Sequence, residues 1–309
     1  MILIISLIIF VSACAGPLGD ASKALKDWDY KTAYRLVKLW AGQRSPESQL
    51  KLAIMYYKGE GVPQNYAEAT KWLRKAAEQE HVIAQFLLSS MYSQGLGLRQ
   101  DDPKAAKWLR KAADKGDGYS QANLGLMYYK GIYYGGLGVP QDYAKAAKWY
   151  RKAADQGIAS AQNNLGTMYD KGEGLAQDNA EAAKWYRKAA DQGNAEAQNN
   201  LGPMYYGGLG VPQDYAEAAK WYRKAAEQGN AKAQGSLGFI YLMGRGVPRD
   251  YVISHMWFNL AGARFSGSER KKREIVEHYM DIDDSKMTPA QVAEAQKLAR
   301  EWKPKKEQK

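Results

Sequence analysis

The stretch DYAEAAKWYRKAA at residues 214–226 decides the fold, because near copies of it recur along the chain. DNAEAAKWYRKAA occupies residues 178–190 and DYAKAAKWYRKAA residues 142–154, so these copies begin 36 residues apart. Six tryptophans mark six copies, at intervals of 36, 41, 36, 36 and 36 residues: Trp72, Trp108, Trp149, Trp185, Trp221 and Trp257. A unit of this length cannot bury its apolar face alone and becomes stable by stacking on its neighbours. We therefore predict one elongated array of repeats rather than two globular domains.

The quoted segment has the pattern of a helix with two apolar faces, which we call helix B. Two adjacent stripes have helical spacing: Tyr215, Ala219, Tyr222 and Ala226 in one, and Ala218, Trp221 and Ala225 in the other. Asp214 and Glu217 are placed as a capping box at its start. Two stripes predict a helix that packs on two partners, so we interpret the tryptophans as core residues.

The segment before helix B predicts a second helix, helix A. The motif LGPMY at residues 201–205 places Leu, Met and Tyr on one helical face. Gly202 stands where the first two copies have Ala53 and Ser89, which predicts a close backbone approach. A Gly-x-Gly-Val-Pro loop follows, as at residues 59–63, and its glycines and proline end the helix. A helical hairpin is expected, since a phosphate-binding loop would need a preceding strand and a following Lys-Ser/Thr.

Three motifs recur with this period over residues 49–265: A-x-x-x-L-G-x-M-Y, G-x-G-V-P-Q-D and Y-A-E-A-A-K-W-Y-R-K-A-A. Together they resemble the Sel1-like repeat, a relative of the tetratricopeptide repeat, in six copies. The resemblance implies an all-α fold, a right-handed α-solenoid of helix-turn-helix repeats. It also implies an adaptor or scaffold for other proteins, commonly in the bacterial cell envelope. Residues 20–48 keep the helix B spacing with Leu36 at the tryptophan position, which predicts an N-terminal degenerate half-repeat.

Two helices and a basic tail are predicted after the repeats. Residues 266–302 contain a charged helical segment and then Thr288, Pro289 and Gln291, which is the signature of a helix start. We expect these helices to cap the open end of the stack. Residues 303–309 are rich in lysine and are interpreted as a frayed, soluble tail.

Residues 1–14 predict export. Their apolar run is too short for a transmembrane helix, which needs about 20 residues, and has the length of a signal-peptide core. The motif VSAC at residues 11–14 resembles the lipobox of bacterial lipoproteins, which implies that Cys14 is lipidated and that Ala15 sorts the protein to the outer membrane, facing the periplasm. Ordinary cleavage at the ACA motif of residues 13–15 also fits, and no Lys or Arg precedes the run. A soluble periplasmic or secreted protein and an uncleaved anchor are therefore the alternatives.

The net charge of +11 raises the question of nucleic-acid binding. Within each repeat the basic residues are interleaved with acidic ones, as Lys220, Arg223 and Lys224 are with Glu217 and Glu227. This arrangement is typical of a solvated helix face. We predict no nucleic-acid partner.

No motif predicts catalysis or the binding of a metal or cofactor. His81, His255 and His278 lack the spacing of metal ligands, and neither G-x-S-x-G nor His-Glu-x-x-His occurs. Asp283 and Asp284 are interpreted as solvated residues of a linker. Sel1-type proteins with hydrolase-like activity carry cysteine pairs, whereas this chain has a single cysteine. We predict that the protein is not an enzyme.

Recognition is expected at solvent-facing positions of helix A that differ between copies. The second residue after a recurring glutamine is, from the first copy to the sixth, Lys51, Leu87, Asn123, Asn164, Asn200 and Ser236; the fifth is Ile54, Ser90, Leu126, Thr167, Pro203 and Phe239. If helix A lines the concave side, as in the family, Asn123, Asn164 and Asn200 lie in a groove and could bind a partner's backbone. Simple solvation is the alternative. Pro203 is expected to bend or shift its helix.

The 41-residue interval contains a second candidate site. Five extra residues, 130–134, include Ile132, Tyr133 and Tyr134, which would protrude from a loop. Exposed aromatic residues there could anchor a partner, or the loop could fold inward.

These observations predict a protein-binding adaptor or scaffold of the bacterial cell envelope. Its partner would be a protein held in the groove of the solenoid. The alternative is a structural spacer that has the same fold and no specific groove ligand.

Overall fold

The computed structural model describes residues 18–131 and 140–305, and within these ranges it is entirely helical. Two compact units divide between Gln141 and Asp142. The first unit contains α1 Leu18–Lys26, α2 Tyr30–Gly42, α3 Pro46–Lys58, α4 Tyr66–Glu78, α5 Val82–Gln94, α6 Asp102–Asp114 and α7 Gly118–Lys130. The second contains α8 Tyr143–Asp155, α9 Ala159–Lys171, α10 Asn179–Asp191, α11 Ala195–Gly207, α12 Tyr215–Glu227, α13 Ala231–Met243, α14 Tyr251–Arg264, α15 Arg270–Asp284 and α16 Pro289–Glu301.

Within each unit, every helix packs on the helix before it and the helix after it in sequence, apart from α15 and α16 at the C-terminus. This arrangement confirms the predicted all-α solenoid of helix-turn-helix repeats. Helix A of each repeat begins three residues before the recurring glutamine: α11, for example, begins at Ala195, before Gln198.

The two apolar stripes of helix B are used as predicted. Helix α12 packs on α11 and on α13, and both stripes are buried apart from the half-buried Tyr215. Four of the six repeat tryptophans are buried, while Trp72 and Trp108 are half-buried against the core of the first unit. The tryptophans are therefore core residues, as the sequence indicated.

The glycine inside helix A faces an aromatic ring of helix B, and at Gly166 the backbone of helix B is also close, since an added Cβ would lie 3.2 Å from the Ala182 carbonyl oxygen. A Cβ added to Gly166 would lie 2.8 Å from Cδ1 of Tyr186, and one added to Gly238 would lie 2.8 Å from Cδ1 of Phe258. The first copy has Ala53 in this slot and a smaller Leu73 opposite. Residue size is thus matched across each hairpin, because cores are packed to nearly crystalline density.

The second glycine of each hairpin loop does meet backbone. Gly210 has a φ of +70°, and a Cβ there would overlap the main chain of Asn179, the first residue of α10. The loop therefore rests on the start of the preceding helix B. Glycine is required both for the left-handed conformation and for this contact.

The proline in helix A causes no shift of the helix ends. Pro203 is exposed within α11, which has 13 residues, the same number as α9 and α13. Since a proline on the solvent side removes one hydrogen bond without meeting a packed neighbour, the helix continues to Gly207.

The C-terminal helices form as predicted and both pack on α14. Thr288 and Gln291 make a capping box at the start of α16, and Trp302 lies edge-on to Trp257 with ring centroids 6.1 Å apart. The prediction of a frayed tail is wrong at Lys305. Its backbone nitrogen donates to the Glu227 carbonyl at 2.8 Å, and its Nζ lies 2.8 Å from Glu227 Oε2. Residues 306–309 lie outside the described residues.

The matched sizes of residues 166 and 186 predict that a second substitution can restore stability lost by the first. Gly166→Ala should lower the free energy of unfolding by about 1–3 kcal/mol, because the methyl group overlaps the Tyr186 ring despite the better helix propensity of alanine. Adding Tyr186→Leu recreates the Ala53 and Leu73 combination of the first copy and should recover part of the loss. Chemical denaturation of both single variants and the double variant measures this coupling. Additive effects of the two substitutions would contradict it.

Candidate functional site

The recurring glutamine holds helix A in place. In all six repeats its buried Nε2 donates to a main-chain carbonyl eight residues earlier, at the end of the preceding helix: Gln49 to Ala41, Gln85 to Ala77, Gln121 to Ala113, Gln162 to Ala154, Gln198 to Ala190 and Gln234 to Ala226. The Oε1 atoms of Gln162 and Gln198 also accept from Gln192 and Gln228, at the ends of their own helices B, at 2.7 and 2.8 Å. Each of these two side chains therefore joins three helices. The variable positions of helix A are carried on this anchored element.

The basic residues of helix B stabilise the stack, and their interpretation as a merely solvated face is incomplete. Arg187 donates to the Tyr205 hydroxyl of the next helix A, and Arg74 donates to that of Tyr92 at 2.8 Å. Lys188 Nζ lies 4.0 Å from the centroid of the Trp185 ring, within cation–π range. Much of the positive charge therefore contributes to contacts within and between repeats.

The asparagines predicted to bind a partner lie in two different units. In the second unit, Asn200 Nδ2 donates to Asn163 Oδ1 at 3.1 Å, and Asn163 Nδ2 lies 3.4 Å from Asn164 Oδ1. All three are half-buried. The structure thus brings Asn164 and Asn200 together through Asn163. Asn123 belongs to the first unit, and its Nδ2 donates to the Tyr119 carbonyl of its own helix at 2.8 Å.

Asn163 is the functional candidate that the sequence analysis missed. The signal was the pair of adjacent asparagines at 163–164 and again at 199–200. Helical spacing places the second member of each pair on the solvent side and gives no sign that Asn163 reaches the next repeat. The cluster formed by Asn163, Asn164 and Asn200 is hereafter the amide cluster.

Other predicted positions lie outside the described residues. These are Cys14, the proposed lipidation site, and the loop residues Ile132, Tyr133 and Tyr134. Their roles stay predictions.

The acidic pair after the repeats is not a solvated linker. Asp283 lies in α15 and is fully buried, and Asp284 Oδ1 is 3.2 Å from Nε2 of the buried His255. Burial raises the pKa of Asp283 to about 7, with further raising by the charges of Asp284 and Asp250. Burial also lowers the pKa of His255. The sequence could not show this because α14 and α15 meet outside the repeat period.

His255 and Asp283 are buried between α14 and α15. Neither residue lines the cleft beside Ile54 or the pocket beside Phe239. No group of three or more His, Cys, Asp or Glu side chains in residues 18–131 and 140–305 could hold a metal ion. None of the helices in those ranges combines the length and apolar character needed to cross a membrane.

Some variable positions of helix A line cavities, and these cavities differ in volume between the two units. In the first unit, Ile54, Leu87 and Ser90 line a cleft of only about 30 Å³. In the second unit, Ser236 and Phe239 line an open pocket of about 370 Å³. That volume is within the range of ordinary ligand sites.

The repeats of this chain match a known family of helical repeats. The Sel1 repeat family matches residues 46–81, 82–117, 118–158, 159–194, 195–230 and 231–264. The chain belongs to the Sel1 repeat family. None of the curated proteins is a match.

Two solved structures support the assignment of this Sel1 repeat protein. A Sel1 repeat protein from Oxalobacter formigenes has 31% sequence identity and a TM-score of 0.70, over 80% of this chain and 97% of its own. The protein c5321, a protective antigen present in uropathogenic Escherichia coli strains, has 32% identity and a TM-score of 0.59 over 88% of this chain. The match spans 64% of the c5321 chain. The Sel1 repeat solenoid is commonly a protein-protein interaction module.

Proposed function

We propose that this Sel1 repeat protein is an adaptor or scaffold that binds a partner protein along helices A of its second unit. The observation that carries the proposal is the amide cluster. It places uncharged donors and acceptors side by side at equivalent positions of α9 and α11. Such groups match the alternating carbonyl and N–H groups of a peptide backbone.

The neighbouring contacts support binding rather than simple solvation. Tyr186 donates from its hydroxyl to Thr167 at 3.2 Å, which fixes another variable position of α9. Pro203 is exposed on α11, three residues after Asn200. Its side chain loses almost no rotamer entropy when a partner covers it. A face built from restrained side chains binds at a smaller entropic cost than a mobile one.

We also propose that the adaptor works in the cell envelope, as an exported protein anchored in the outer membrane through a lipid on Cys14 and facing the periplasm. The apolar leader and the VSAC motif at residues 11–14 support this localisation.

A photo-cross-linking amino acid at position 164 tests the binding role. Introduced in the full chain, it should capture a discrete partner in envelope extracts, to be identified by mass spectrometry. The same amino acid at position 184, which is exposed on α10, is the control and should capture little. Asn163→Leu combined with Asn200→Leu should weaken the interaction about tenfold, since buried polar groups of the partner would lose their hydrogen bonds. Equal capture from both positions, unaffected by these substitutions, would favour a spacer.

Metabolic labelling with a fatty-acid analogue tests the anchor. Wild-type protein should incorporate the label and partition with membranes, whereas Cys14→Ser should do neither, because the thiol is the proposed acylation site. Unchanged labelling of the Cys14→Ser protein would show that Cys14 is not the lipidated residue.

A further inference from the structure

The pocket of the second unit lies between α13 and α15. Its wall is mostly aromatic and aliphatic, with Tyr206, Tyr222, Phe239, Phe258, Ile275 and Tyr279 among its lining residues. Ile275 is 55% exposed although it is a large aliphatic residue. The cap formed by α15 therefore leaves apolar surface open to solvent next to a cavity.

A missing side chain makes room for this pocket. Gly235 follows the recurring glutamine of α13, and the equivalent residues of the other copies all carry side chains: Leu50, Phe86, Ala122, Asn163 and Asn199. A Cβ at Gly235 would lie 3.5 Å from Val276 Cγ1, an ordinary contact, so packing does not demand glycine here. The glycine instead leaves space inside the pocket.

The rim of the pocket is positively charged. Lys232 and Lys272 lie on opposite sides, and the lining contains no carboxylate. Lys272 pairs with Glu269 at 2.7 Å, but Lys232 forms no ion pair within the described residues. Residues 270–273 of α15 are all basic and exposed. The surface is complementary to an acidic ligand.

The position of Lys232 is unfavourable for the helix itself. It lies in the first turn of α13, where the helix dipole disfavours a positive charge. The equivalent residues Glu47 and Glu196 have the favourable sign, and each is hydrogen-bonded to the next repeat, at His81 and Asn230. The other copies have the uncharged residues Ile83, Tyr119 and Ser160 at this position, so the repeat does not require a charge there, and Lys232 is exposed at the rim of the pocket.

We propose that this pocket binds a segment of the partner protein in which a bulky aromatic or aliphatic side chain is flanked by carboxylates. The inference rests on the proposed adaptor function and names the chemistry of one part of its ligand. The apolar side chain enters the space beside Gly235, and the carboxylates meet Lys232 and Lys272. Ser236 and Phe239 line the pocket and are also variable positions of helix A. The pocket and the proposed binding face therefore use the same set of helix A positions.

Fluorescence anisotropy with three labelled peptides tests the pocket on the full chain. The probe is Gly-Asp-Glu-Phe-Asp-Glu-Gly; one comparison peptide has Ala for Phe, and the other has Asn and Gln for the acidic residues. The probe should bind at least about tenfold more tightly than either comparison peptide, because each loses one of the two complementary groups. Equal binding of all three, or no binding of the probe, would overturn the proposal.

Two pairs of variants locate the binding. Gly235→Leu fills the pocket and should weaken binding of the probe about tenfold, whereas Asn199→Leu, at the equivalent position of α11, should not. Lys232→Glu is an exposed change that leaves packing intact; it should weaken binding, while Lys184→Glu on α10 should have little effect. Circular dichroism checks that each variant folds. Unchanged binding by folded Gly235→Leu and Lys232→Glu proteins would show that the peptide does not occupy this pocket.

The outcomes separate this inference from the proposed function. If the probe fails to bind but position 164 still captures a partner, the pocket proposal fails and the adaptor proposal stands. If the probe binds in the pocket while position 164 captures nothing, the amide cluster is not the binding face.

Discussion

The structure depends on one buried amide in every repeat. The Nε2 group of the recurring glutamine donates to one of the last carbonyls of the preceding helix, where the helix supplies few N–H donors of its own. An unpaired carbonyl or amide in that position would lose its hydrogen bond to water without replacement. Because the glutamine sits in the first turn of helix A, this bond sets where helix A begins against the helix before it.

Size matching and charge pairing then complete each repeat. The glycine of helix A admits the ring of Tyr186 or its equivalent, while arginines such as Arg187 bond to a tyrosine of the next helix A. These contacts recur with the period of the sequence. They account for the conserved spacing of aromatic and basic residues without any ligand, which leaves the variable positions of helix A as the place where recognition can differ.

The sequence predicted the fold well because repeated packing appears as repeated spacing. The helix B stripes, the hairpin loops and the start of α16 at Thr288 all follow from local pattern. Contacts outside the period could not be predicted in this way. Asp283 is buried by α14, Lys305 is bound to Glu227, and Asn163 joins two repeats, yet each looks like an ordinary surface residue in the sequence. The pocket beside Gly235 likewise depends on where α15 happens to lie.

The central claim is that the buried glutamine amide, rather than apolar packing alone, fixes each helix A. Gln198→Met keeps length and helix propensity but removes the side-chain donor to the Ala190 carbonyl, which keeps the backbone N–H of Gly193 at 3.0 Å. Chemical denaturation should show a loss of about 0.5–1.5 kcal/mol in the free energy of unfolding, the net contribution of one buried hydrogen bond. The matched change Gln296→Met, on the exposed side of α16, should alter it by less than about 0.5 kcal/mol. Equal stability of the two variants would contradict the account.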